Sequence, residues 1–107
     1  MKVIILTNNQ QYFGALISKY SFIQNSSLNE RNIEILNINE SYPSLAECDG
    51  ETYYRNGVLK NFDINDLQSF TISRFFVPEH CNYKGKILAV DPDIFCVNNY
   101  LNYLSNI

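Results

Sequence analysis

The chain has 107 residues, enough for one small domain with a real core and too few for two. Its hydrophobic fraction of 46% and charged fraction of 18% are those of a globular domain. A net charge of −3, with no block of like charges, gives no electrostatic footing for nucleic acid or an anionic membrane surface, and no apolar run approaches bilayer-spanning length.

The opening MKVIIL resembles the start of a signal peptide, but its apolar part stops at Thr7-Asn8-Asn9 with no small-residue cleavage site behind it. A first β-strand over residues 2–6 is the expectation, and its unbroken apolar character predicts cover on both faces. Residues 12–24 follow as a helix, with Phe13, Leu16, Ile17, Tyr20 and Ile23 at helical spacing. A polar connection leads to a second strand carrying Ile33, Ile35, Leu36 and Ile38 and ending at Asn39-Glu40. Together these read as a βαβ unit with parallel strands.

Next, ETYYRNGVLKNFD places Asn56-Gly57 between two β-prone stretches, the strongest short hairpin signal. Asn65, with Gln68 three residues on, predicts a helix start, and Pro78 predicts its end near Val77. A turn over residues 83–85, a buried strand over 86–90, and a short final helix capped by Asn98 or Asn99 with Tyr100, Leu101 and Leu104 complete the chain. Only about three parallel strands are visible and the last helix stops early, as expected of one half of a larger fold or of a homo-oligomer that completes it. Cys48, Cys81 and Cys96 are odd in number and lack CxxC or His-paired spacing, so buried thiols in a reducing cytoplasm are expected rather than disulfides or zinc. The Asn-x-Ser sequons at Asn25 and Asn39 carry little weight without secretion.

The chemistry concentrates in KGKILAVDPDIFCV, where an apolar strand stops at Asp91-Pro92-Asp93. Desolvated carboxylates are costly. Either the pair turns out to water as a capping turn, or a positive charge holds it. In an open parallel α/β sheet, ligands bind beyond the carboxyl ends of the strands, where Asp91, Asp93 and the TNNQQY segment all fall. Two hard oxygen donors that converge suit Mg²⁺ or Mn²⁺ rather than zinc.

The segment DLQSFTISRFFVPEHCNYKGKILAVDPDIFCVNNYLNYL resembles the core of glycosyltransferase family 8, the group of glycogenin and the bacterial lipopolysaccharide galactosyltransferases. The shared pattern is an arginine-bearing helix running into Pro-Glu, a Tyr-x-Gly-Lys turn, and an apolar strand ending in Asp-x-Asp. The opening VIILTNNQQYFGALISKYSFIQNS resembles that family's first strand, nucleotide loop and helix.

The resemblance implies a Rossmann-like α/β fold of GT-A type with a small hairpin insertion. It implies transfer of a sugar, with retention, from a nucleotide-diphosphate donor such as a UDP-sugar to a glycan or lipid-linked acceptor. Residues 1–107 would then form the donor-binding N-terminal part, inactive alone. It places Mn²⁺ (or Mg²⁺) on Asp91 and Asp93, the donor phosphates near Arg74 and Asp91, and the nucleoside along Thr7, Asn8, Asn9 and Tyr12. Asn9 stands where the family usually has an acidic residue. His80, the only histidine, reads as a surface or capping residue, and nothing supplies the family's downstream metal-binding histidine. The runner-up is a non-catalytic α/β nucleotide-binding or regulatory module.

Overall fold

The computed structural model describes residues 1–99 and residue 101. Three parallel strands form a small sheet in the order β2-β1-β5, with β1 at Lys2–Thr7, β2 at Ile33–Asn37 and β5 at Ile87–Val90. A separate antiparallel hairpin joins β3 (Thr52–Arg55) to β4 (Val58–Asn61). The chain is therefore a mixed α/β structure.

Strand β1 is central, and successive residues on a strand face opposite sides. Ile4 and Leu6 join Leu36, Ile38, Phe62, Ile64, Phe70 and Val77 in one core layer. Val3 and Ile5 join Ala15, Phe22, Ile33 and Leu101 in the other. The unbroken apolar run is thus explained, because neither face of β1 meets water.

The helix α1 (Tyr12–Asn25) forms where the periodicity places it, but it buries another face. Ala15, Ser18 and Phe22 point inward, while Phe13 is 75% and Tyr20 62% exposed, with Leu16 and Ile17 also exposed. The reason is a stripe of small and polar residues that receives the chain beyond β5. A Cβ on Gly14 would lie 3.4 Å from the Pro92 carbonyl oxygen. The Ser18 hydroxyl donates to the Ile94 carbonyl at 2.5 Å, the Ser21 hydroxyl accepts from the Cys96 amide at 2.8 Å, and the Asn25 amide donates to the Cys96 carbonyl at 2.8 Å. Residues 14, 18, 21 and 25 recur at helical spacing and match an extended segment on its backbone polar groups.

Five other expectations change. Strand β2 ends at Asn37, whose side chain accepts from the Asn39 amide at 3.0 Å and starts the short helix α2 (Ile38–Ser41). Asn65 caps nothing: Asp63 and Asp66 accept from the amides of Asn65 and Gln68 at 2.9 and 2.8 Å, forming successive Asx turns. A 3₁₀ helix over Ser69–Phe76 follows, and Pro78 lies in the first turn of helix α3 (Val77–His80), where a missing N–H leaves no hydrogen bond unmade. Strand β5 is an edge strand, only partly buried, with Ala89 exposed. The cysteines are free, but Cys48 is exposed and Cys81 and Cys96 are only half-buried. The hairpin turns on Asn56 (φ 52°) and Gly57 (φ 78°), both left-handed as a type I′ turn requires. The expected final helix lies, apart from buried Leu101, outside the described residues. Among the described residues no helix is long and apolar enough to cross a membrane.

His80 has a partner that its sequence position did not reveal. Its Nε2 lies 3.0 Å from Glu34 Oε1, and the Lys2 ammonium lies 3.3 Å from Glu34 Oε2. That second oxygen is buried without a well-formed hydrogen bond, so Lys2 compensates its charge rather than its hydrogen-bonding capacity. The trio ties β1, β2 and α3 together at the sheet.

Candidate functional site

The parallel register brings the carboxyl ends of all three strands to one side: Thr7 pairs with Asn37, and Ile5 with Val90. The loops that leave these ends are held by side-chain amides. Asn8, fully buried, accepts from the Gln11 amide at 3.0 Å and donates to the Asp66 carbonyl at 2.7 Å and the Ser69 hydroxyl at 2.9 Å. It thereby locks the loop after β1 to the segment that begins the 3₁₀ helix. The Thr7 hydroxyl, equally buried, donates to the Asn8 carbonyl at 3.0 Å. Asn9 accepts from the Asn37 side chain at 3.0 Å, and its amide donates to Asn39 at 2.8 Å, which joins the loops after β1 and β2.

The 3₁₀ helix anchored by Ser69 presents two columns, because residues three apart eclipse each other. Phe70 and Ser73 are buried, with Phe76 next in their column against the Tyr42 ring at a 4.7 Å centroid separation. Thr71 and Arg74 form the adjacent column and line a cleft of about 950 Å³. Across it, β5 ends and the chain turns: the Ile94 amide donates to the Asp91 carbonyl at 3.2 Å, with Pro92 and Asp93 at the corners. Proline suits the first corner of such a turn. Asp91 Oδ1 accepts from the Arg74 guanidinium at 2.5 Å.

Both halves of the question posed by Asp-Pro-Asp are thus answered. The pair does lie in a turn, and a cation does hold its first member. Asp93 is exposed, lines the same cleft, and makes no hydrogen bond or ion pair among the described residues.

Arg74, Asp91 and Asp93 therefore converge on one cavity. Thr7, Asn8, Asn9 and Tyr12 do not line it. The first two are buried in the protein's own hydrogen bonds, and Tyr12 faces a shallow depression with Lys19 and Arg31 on another side. Gln11 is the residue of the first loop that reaches the cleft. Its side chain donates to the Leu67 carbonyl at 3.3 Å. The far wall is the β3–β4 hairpin with Tyr53, Tyr54 and Arg55, none of which the sequence singled out. Its base is clamped to the core: the Gly50 amide donates to the Phe62 carbonyl at 2.8 Å and the Phe62 amide to the Glu51 carbonyl at 2.7 Å.

Chemically, the cleft offers carboxylate oxygens, a guanidinium and aromatic faces. Two carboxylates suit a hard divalent ion of the kind bound by one or two protein carboxylates, with water and substrate phosphate oxygens filling the remaining positions. Among the described residues, Asp93 and the second oxygen of Asp91 have no partner and are the carboxylate oxygens that could serve such an ion. Among the described residues no group of three or more His, Cys, Asp or Glu side chains gathers into an all-protein metal cage. Comparisons with family models, with curated proteins and with solved structures found no match.

Proposed function

We propose that the chain is the donor-binding part of a metal-dependent glycosyltransferase of GT-A type, taking a sugar linked to a nucleoside diphosphate such as UDP. One observation carries this reading: Asp91, Asp93 and Arg74 line one cleft beyond the carboxyl ends of the parallel strands, with Arg74 paired to Asp91. Asp91 and Asp93 hold Mn²⁺ or Mg²⁺, which when bound neutralises the charge of the departing diphosphate. Arg74 orients the Asp91 carboxylate and leaves its remaining N–H donors for phosphate or sugar oxygens. Tyr53, on the hairpin wall and the less exposed of its two tyrosines, provides a flat face for the base or the sugar. The acceptor is a glycan or a lipid-linked sugar.

The test is calorimetric titration of the chain with UDP in the presence and absence of Mn²⁺. Binding that needs Mn²⁺, and that Asp91→Asn with Asp93→Asn removes, is the expected result. Binding unaltered by the double substitution would end the proposal.

A further inference from the structure

The two faces of strand β3 are unequally covered. Residues paired across an antiparallel ladder share a face, so Tyr53, Arg55, Val58 and Lys60 lie on one side and Thr52, Tyr54, Leu59 and Asn61 on the other. Tyr54 is 75% exposed, whereas Tyr53 is 40% exposed and Arg55 alone in the hairpin strands is half-buried. The more covered face is the one that carries the cations.

Arg55 lines the cleft opposite the aspartates, yet its guanidinium has no ion pair or hydrogen bond among the described residues. Arg74, by contrast, is neutralised by Asp91. Arg55, a half-buried residue of the cleft lining left without an anion, is a candidate recognition group, because a guanidinium's planar fork matches oxyanions through paired N–H···O bonds. The chain's net charge of −3 supplies no general attraction for anions, so such binding must come from a local site.

We propose that Arg55 is an anion anchor on the hairpin wall that binds a phosphoryl group inside the cleft. The phosphoryl group belongs to the donor's diphosphate or to a phosphorylated acceptor. Resting on the glycosyltransferase reading, this adds a second cationic contact, on a separate element, facing the carboxylate side. A ligand held between the walls then meets Asp91 and Asp93 through a cation on one side and Arg55 directly on the other. Lys60, on the same face but outside the cleft lining, reinforces the local positive charge without touching the ligand.

The experiment titrates the full chain with inorganic pyrophosphate in EDTA, with UDP plus Mn²⁺, and with glycerol 3-phosphate. Pyrophosphate in EDTA reads the anchor without the metal, so the two proposals fail separately. Arg55→Gln is expected to weaken pyrophosphate binding about tenfold, the scale of one charge-assisted contact, with partial recovery in Arg55→Lys. Arg31→Gln, the same charge change away from the cleft, is expected to leave it unchanged. Alongside the pyrophosphate loss, a parallel loss with UDP identifies the donor diphosphate as the source, and a loss with glycerol 3-phosphate but not with UDP identifies the acceptor. No pyrophosphate binding by the wild-type chain, equal binding by Arg55→Gln, or an equal loss in Arg31→Gln would overturn the assignment. If Asp91→Asn with Asp93→Asn leaves UDP binding intact while Arg55→Gln weakens pyrophosphate, the metal reading falls and the anchor stands.

Discussion

Gly14 offers the sharpest test of how helix α1 supports the cleft, because two substitutions there should have opposite signs. A Cβ at this position would lie 3.4 Å from the Pro92 carbonyl oxygen, which is ordinary van der Waals contact. Gly14→Ala therefore needs no movement, and it removes the flexibility penalty of glycine in a helix, about 0.5–1 kcal/mol. For a domain of this size the gain corresponds to a rise in Tm of several degrees, at ~4–8 °C per kcal/mol.

Gly14→Val places two further carbons on an atom already in contact, and the obstacle is backbone, which cannot rotate away. Overpacking of this kind costs about 1–3 kcal/mol, more than the propensity gain. Pro92 separates Asp91 from Asp93, so its displacement must also misplace the carboxylates. Urea denaturation should show Gly14→Ala more stable than wild type and Gly14→Val less stable. Mn²⁺-dependent UDP binding should survive the first and weaken with the second. If Gly14→Ala destabilises by more than about 1 kcal/mol, or if Gly14→Val matches it in both assays, the docking of the post-β5 segment on α1 is wrongly described.

Two further predictions concern the frame around the cleft. Ser18→Ala removes a fully buried hydroxyl from its part-buried bond to the Ile94 carbonyl, and should cost about 0.5–1.5 kcal/mol in urea denaturation; a loss below about 0.5 kcal/mol would mean that water replaces the hydroxyl at the carbonyl. Burial alone would raise the Glu34 carboxyl pKa, but the His80 hydrogen bond and charge, with Lys2, outweigh it and leave the group below its ordinary value. A depressed carboxylate contributes stability that is full above its unfolded pKa and fades as pH falls through the folded one. The advantage of wild type over Glu34→Gln should thus be present at neutral pH, at ~0–1 kcal/mol for a group about a third exposed, and should begin to fade as the pH falls below about 4.5 and be lost on further acidification. An advantage that grows on acidification, followed by thermal melts across that range, would contradict the ion-pair account.

The pattern that resembles glycosyltransferase family 8 points to Arg74, Asp91 and Asp93, and these three line one cavity. It also picked out Thr7, Asn8, Asn9 and Tyr12, whose positions near the strand end were legible but whose directions were not. Whether a loop side chain faces a cleft or is sealed beneath it depends on what covers it. For Asn8 the cover comes from residues 66 and 69, far along the chain. The same distance hid Arg55. Nothing within the hairpin sequence indicates that one face is turned toward a strand end more than thirty residues later.

Short-range chemistry made the strands, the first helix and the hairpin readable. Apolar runs, helical periodicity and the left-handed freedom of Asn-Gly act within a few residues, so they need no partner to be recognised. Short-range signals failed where two local solutions compete, as between Asn65 and its neighbours Asp63 and Asp66 for the caps that precede the 3₁₀ helix. Which face of α1 is buried, which strand is an edge, and which charges meet across the cleft were settled only by tertiary structure. The physical reason is that burial and ion pairing belong to pairs of segments: a stripe of serines becomes a docking surface only when an extended segment lies along it, as residues 94–96 do.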